Sequence, residues 1–254
     1  MKKFFLMLLA GIMFIWSGSV LAYTIDDTVN VGAGTTKGTE SNAITWEGHS
    51  AWTDHIGDNF DTKGIDVNMT GSNIIITMYT NFDGLYTYSG DNGEDNFYAA
   101  DLGIDLDLNG TYEYGVVLTH GTGGHQDYSA ALYKDGTWKS SYDVLEGNTI
   151  NDLYYGEFYP EPTNKREAWV KMEGGDYKGD VDINITKSGG LYAWTLKINK
   201  DLFGSDLGDE MGIFWATGTC ANDVVQGVVP IPTTILLLGS GLLGFGLLGR
   251  RRKI

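Results

Sequence analysis

One cysteine, Cys220, stands in 254 residues, so no disulfide within the chain staples a fold; it reads as a small buried apolar side chain. Cations are scarce, 17 Lys and Arg against 33 Asp and Glu. There is no Gly-x-Ser-x-Gly elbow, no His-Glu-x-x-His helix and no Cys-His constellation, and the chain is not expected to be an enzyme. Prolines fall in just two pairs, Pro160 with Pro162 and Pro230 with Pro232. No stretch of helical period runs through the body, which argues against bundles and α/β folds.

Long apolar runs occur only at the two ends. Met1-Lys2-Lys3 is a positive leader, Phe4 to Trp16 is apolar, and Val20-Leu21-Ala22 offers small residues for cleavage after Ala22, so residues 1–22 read as a secretory signal peptide with Tyr23 as the mature start. At the other end, Thr233 to Gly249 holds 17 uncharged residues, about 25 Å as a helix, and Arg250-Arg251-Arg252-Lys253 follows at once. The positive-inside bias keeps that end cytoplasmic and the body outside. Six of the 17 cations belong to these ends, so the body sets 11 against all 33 acids, a net charge of −22. That field disfavours nucleic acid and anionic membrane surfaces as partners of the body and favours divalent cations or plain solubility.

Val229-Pro230-Ile231-Pro232, the apolar segment and the Arg cluster together resemble the C-terminal sorting tail of PEP-CTERM proteins. The family's Pro-Glu-Pro stands here as Pro230-Ile231-Pro232, closer to its Val-Pro-Leu-Pro variants. The resemblance implies an exported bacterial surface protein, handled by signal peptidase and then by an exosortase-type enzyme acting on residues 229–254; Val229, Pro230, Pro232, Arg250, Arg251 and Arg252 carry the signal. A plain retained single-pass anchor is the alternative. Pro160-Glu161-Pro162 is followed by the polar Thr163-Asn164-Lys165-Arg166 and is no tail.

Between the ends, residues 23–57 read as an irregular, Gly- and Thr-rich segment with one short strand at Ile44-Thr45-Trp46, and residues 58–228 as one all-β domain. Gly64 to Met69 and Asn73 to Thr80 form a first hairpin, the second strand central and buried on both faces. Asn81 to Asn96 reads as a long polar loop. Leu102, Ile104, Leu106 and Leu108 alternate with Asp101, Gly103, Asp105 and Asp107, and Tyr112, Tyr114, Val116 and Leu118 alternate likewise. One shared apolar face demands an odd loop, pairing Leu108 with Tyr112 and Ile104 with Val116, and excludes a two-residue Asn109-Gly110 turn. Asp107 then faces Glu113, a like-charge contact that a hard cation would relieve.

Asp105, Asp107, Asn109 and Gly110 match the start of a calcium loop, with Glu113 at the ninth position, but Val116 occupies the twelfth, where an EF-hand needs Glu. Two readings stand: a calcium half-site completed by Asp91, Glu94 and Asp95, or a solvated acidic turn. His120 and His125, five apart in a Gly-rich loop, lack a third ligand and read as surface. Further strands are expected at Tyr128 to Tyr133, Trp138 to Leu145, Leu153 to Tyr159, Trp169 to Met172, Val181 to Thr186, Tyr192 to Ile198 and, as the last of the core, Met211 to Thr217; Asp201 to Gly204 reads as a helical turn.

So many short strands imply an antiparallel β-sandwich, jelly-roll or immunoglobulin-like, flanked by the signal helix and the C-terminal transmembrane helix. Leu191 to Gly204, Gly212 to Gly218 and the hairpin from Leu102 to Tyr114 resemble family 9-type carbohydrate-binding sandwiches. That resemblance implies stacking of sugar rings on exposed aromatics, and Trp46, Trp52, Trp138, Tyr154 and Tyr155, in loops or at strand ends, are the candidates for contact with extracellular polysaccharide; Trp169, Trp194 and Trp215 fit core strands. A structural matrix protein without ligand is the competing reading.

Overall fold

The computed structural model describes residues 21–26, 37–39, 53–55, 60–90, 93–144, 169–219 and 224–231. Their alternation produces strands β1 (Leu21–Asp26), β2 (Lys37–Thr39), β3 (Thr53–His55), β4 (Thr62–Met69), β5 (Asn73–Thr80), β6 (Leu85–Gly90), β7 (Gly93–Tyr98) and β8 (Leu102–Asp105). There follow β9 (Tyr114–His120), β10 (Tyr128–Lys134), β11 (Thr137–Ser140), β12 (Trp169–Glu173), β13 (Asp176–Ser188), β14 (Leu191–Asn199), β15 (Glu210–Ala216) and β16 (Val224–Pro230). The all-β, antiparallel expectation holds. The strands do not divide into two facing sheets: ten of them form one sheet in the order β1-β4-β5-β14-β13-β10-β9-β8-β15-β16.

One face of that sheet is apolar from edge to edge, because the registers align every inward side chain. Val67 opposes Ile76, which opposes Leu196, which opposes Ile183. Val181 opposes Ala130, Ala130 opposes Leu118, Val116 opposes Leu102, Leu102 opposes Trp215, and Trp215 opposes Val225. A face that continuous has to curl over itself to leave water, and bulges in β4, between Thr62 and Gly64, and in β13, where Tyr177 to Gly179 face Tyr133 and Leu132, add local twist and bend. The sheet closes almost into a barrel. Its edge strands meet at Gly227, where a Cβ would lie 2.9 Å from three carbons of Ile25, so that a glycine in β16 makes room for an isoleucine of β1.

A second, smaller core lies outside the barrel wall. Gly103 and Gly115 oppose each other across β8 and β9, and the bare patch they leave is covered by the Tyr112 ring over Gly103 and by Met172 and Trp138 over Gly115. The paired strands β11 and β12 provide Trp138, Trp169, Val170 and Met172 as this cover, with Phe214, Ala216 and Val224 beneath. Hence β8 is buried on both faces, whereas β5, expected to be, is buried on one and half-buried on the other.

Several expectations are corrected. Residues 81–96 are not a loop, because β6 and β7 pair as a hairpin whose Tyr86 and Phe97 rings stack on each other while Phe60 packs against both. The strand expected from Trp138 to Leu145 stops at Ser140 and gives way to a helical turn, Ser141–Val144, capped reciprocally: Asp143 N–H donates to Ser140 Oγ, and Ser140 N–H donates to Asp143 Oδ2. Met211 to Thr217 is not the last core strand, because β16 pairs with it, burying Val229 and Ile231, residues read as tail. The segment at 23–57 contributes β1, paired to β4, and the small β2–β3 ladder. The turn at Gly189-Gly190 and the 3-10 turn at Lys200–Phe203 stand as expected. Ile44 to Trp46, Leu153 to Tyr159, Cys220, the signal segment before Leu21 and the tail after Ile231 lie outside the described residues.

Candidate functional site

The odd-loop argument survives, but the offset does not. Ile104 pairs with Tyr114 and Leu102 with Val116, two residues away from the expected register, so nine residues, Asp105 to Glu113, lie between the last paired residues of the hairpin. Asp105, at the end of β8, turns its carboxylate into this loop and accepts N–H bonds from Leu108 at 2.7 Å and Gly110 at 3.0 Å. Those bonds hold Leu108 at a φ of 57° and Gly110 at 94°. Asp107 accepts from Asn109 N–H at 3.1 Å and from its Nδ2 at 2.8 Å, while Asn109 Oδ1 accepts from Thr111 N–H. Glu113 reaches back to accept from Leu106 N–H at 3.0 Å, and its other oxygen, Oε1, is buried.

The structure therefore brings together three of the four predicted ligands. Carboxylate oxygens of Asp105, Asp107 and Glu113 lie within 4.8 Å of one another, whereas the Asn109 oxygen is turned to its own loop. Burial pushes Glu113 up to about 7, against the Leu106 N–H bond, and its hydrogen bond with Asp107 and the Asp105 charge act the same way. Burial also raises Asp105, opposed by the Gly110 and Leu108 amides. Desolvation pulls Asp107 upward too, but hydrogen bonds from Glu113 and Asn109 outweigh it and leave Asp107 below the ordinary range. Calcium takes six to eight oxygens, and three carboxylates meet only part of that need. Asp91 lies outside the described residues, and Glu94 and Asp95 sit in β7.

Asp101, which alternates with the apolar row of β8, is 2 % exposed. Oδ1 accepts from Leu118 N–H of β9 at 2.7 Å, Oδ2 from Met172 N–H of β12 at 2.8 Å, and its own N–H donates to Val170 O at 2.9 Å. This one side chain ties the outer layer to the barrel wall. Burial pushes it up to about 7, opposed by the two amide donors and by Lys171.

Of the aromatic candidates, Trp138 is half-buried: its indole N–H donates to Tyr112 O at 2.8 Å and its ring packs edge-on to Tyr112. Trp46, Trp52, Tyr154 and Tyr155 lie outside the described residues. Trp194 and Trp215 are in the core, and Trp169 is half-buried in the outer layer. Large apolar side chains exposed among the described residues are Leu108, Tyr177 and Val228. Tyr177 meets Tyr133 edge-on across the β10–β13 ladder and donates to Asp180 Oδ1; it follows two glycines outside any clean alternation, so sequence reasoning passed over it.

His120 and His125 do not converge. His120 packs between Tyr98 and Tyr128, His125 Nδ1 sits 2.8 Å from Asp83 Oδ2, and Asp127 organises the loop by accepting from Gly123 N–H. No helix among the described residues is long and apolar enough to cross a membrane. No family model, curated protein or solved structure matches the chain.

Proposed function

We propose that this chain is an exported cell-surface or extracellular-matrix protein. In this reading it enters by its signal peptide, is held by its C-terminal apolar helix and is released to the surface by an exosortase-type enzyme. What carries it is the position of the folded body within the chain. Its first strand starts at Leu21, beside the cleavage site after Ala22, and the last buried residue among those described is Ile231, two positions before the apolar run begins at Thr233. The described strands of the near-barrel thus run from one segment to the other, and they encroach on each by no more than three residues. Cleavage after Ala22 removes two pairs from β1 and keeps Tyr23 and Ile25, whose side chains pack on the core. The test is fractionation of expressing bacteria. Loss of the signal should leave the chain in the cytosol, and Arg250, Arg251 and Arg252→Gln together should change processing of the tail. Recovery of an uncleaved chain from cytosol would sink the reading.

The displayed barrel, with its acid-rich surface, is proposed to engage extracellular polysaccharide through aromatics. A structural role without saturable ligand is the second reading, favoured because Tyr177 is the sole exposed aromatic of its size among the described residues. A glycan array on the exported chain, with and without calcium, separates them: saturable binding supports the first, and none to any sugar leaves the second. A thermal midpoint moved by chelator would assign Asp105, Asp107 and Glu113 a cation.

A further inference from the structure

Each neighbouring pair in the ten-stranded sheet is antiparallel, so strand direction alternates around it. With an even number of strands the two edges run oppositely, and the start of β1 falls at the same end as the finish of β16. Leu21 pairs with Met69 there, and Pro230 pairs with Glu210. Both targeting segments therefore leave from one pole. The same pole is built by the turn at 70–73, the acidic loop at 105–113 and the segment at 200–210. Lys200 N–H donates to Ser72 O at 2.9 Å, and Ile231 N–H donates to Asp209 O at 2.5 Å.

Little chain remains between this pole and the bilayer. Ile231 is buried, the apolar segment begins at Thr233, and the two steps across Pro232 span about 7 Å when fully extended. That is about the thickness of one headgroup layer, given ~40–45 Å for a whole bilayer and ~30 Å for its hydrocarbon. The exposed apolar side chains point the same way. Leu108, 39 % exposed, lies in the polar loop of this end, with its Cδ2 3.5 Å from where a Gly212 Cβ would stand. Gly212 pairs with Val228, itself 41 % exposed, and Tyr177 is the second residue of β13, whose first residue pairs with Lys134 at this end. An opposite pole, made by the β6–β7 hairpin, the loop at 120–127 and the turn at 188–191, presents no exposed large apolar residue among those described.

We infer that, while its tail is in the membrane, the barrel is seated on zwitterionic phospholipid headgroups through the pole formed by residues 70–73, 105–112 and 200–210, with Leu108 and Val228 against the bilayer. The inference rests on the proposed reading of the tail as a membrane helix. Its consequence is orientation: the β6–β7 hairpin faces away from the membrane, and the acidic loop is shielded until the tail is cut.

The unmodified full-length chain, reconstituted in phosphatidylcholine vesicles doped with a headgroup-diazirine phosphatidylethanolamine, provides the test. After irradiation, crosslinked peptides are mapped by mass spectrometry, and co-sedimentation reports insertion. Crosslinks should fall on residues 70–73, 105–112 and 200–210 and be absent from 84–98, 120–127 and 188–191. Co-sedimentation with crosslinks on the far pole, or with none on the body, overturns the seating and leaves the tail reading intact. A chain that does not co-sediment overturns the tail reading and the seating with it.

Discussion

Asp101→Asn tests whether a buried carboxyl that joins two layers is held neutral by its surroundings. The change keeps the shape and removes the titration. In the wild type both oxygens accept amide hydrogens, from Leu118 and Met172. The Asn carbonyl replaces one acceptor, and its NH2 faces the other donor, so the variant carries a cost of about 1–3 kcal/mol that does not change with pH. On top of this comes a term that does. Burial raises Asp101 from 3.8 to about 7 in the fold. A group raised on folding contributes stability that is complete below its unfolded value and is lost as pH rises through its folded value.

Between those limits each pH step costs about 1.4 kcal/mol, so from pH 5 to pH 8 the wild type loses about 3 kcal/mol that Asp101→Asn does not. The advantage of wild type over variant should therefore be largest near pH 5 and shrink by that amount at pH 8. In a body of this size the shrinkage amounts to roughly 6–12 °C in relative Tm. Glu113 titrates in both proteins and cancels from the difference. Urea unfolding of the pair at pH 5, 6, 7 and 8 measures it. A gap constant to within ~0.5 kcal/mol from pH 5 to pH 8 would refute the reasoning and would show that the two amide donors keep the carboxylate ionised in spite of burial.

Gly227→Ala should destabilise by about 1–3 kcal/mol, because its Cβ would come 2.9 Å from Ile25, and a compensating Ile25→Ala should recover part of the loss in a double-mutant cycle by chemical denaturation. Additive effects would mean that the β1–β16 seam is not packed as described. Trp138→Ala should cost about 2–4 kcal/mol through lost cover over Gly115 and the lost bond to Tyr112 O, with glycan affinity, where measured, unchanged. An unchanged Tm would place the ring elsewhere. Tyr177→Ala should leave stability within about 0.5 kcal/mol, as expected for an exposed side chain, measured by chemical denaturation.

Period-two alternation located most of the described strands because an inward row of Ile, Val, Leu and Met has one physical reading. Val181, Ile183 and Ile185 against Tyr192, Trp194, Leu196 and Ile198 is the plainest case, and its Gly189-Gly190 turn followed from the dipeptide. What alternation could not show is a second layer. Asp101 alternates out of the barrel core, yet the outer face there belongs to β12, which arrives from about 70 residues later in the chain, and only that cover turns an outward acid into a buried one. The same cover explains Gly103 and Gly115, which looked like neutral breaks in the pattern and are the floor of the outer core. The β6–β7 hairpin was hidden for the opposite reason: Gly84, Gly90, Gly93 and the acids around them signal a loop, while the apolar side chains that fix it, Tyr86 and Phe97, gain their worth by packing on Phe60 of a different segment. By contrast, Ser140 with Asp143 is a capping pair in plain view, a local signal overlooked in favour of continued alternation.

The acidic loop shows how far a parity argument reaches. Requiring Leu102 and Ile104 to share a face with Tyr114 and Val116 fixes whether the loop is odd, and that much is observed. It says nothing about length, because shifting the pairing by two restores every side chain to its face. Length was settled by hydrogen bonding: a strand pair carried on to Leu108 and Tyr112 would have left Asp105 on a ladder beside Asp107, two acids from the same face near Glu113, whereas ending β8 at Asp105 gives its carboxylate the amides of Leu108 and Gly110. Two donated N–H bonds in a partly buried site outweigh two more ladder pairs at an acidic rim. The loop that results carries Leu108 outward at the pole where both chain ends emerge, so the residue choice that shortened the hairpin is also what places an apolar side chain where a bilayer would meet it.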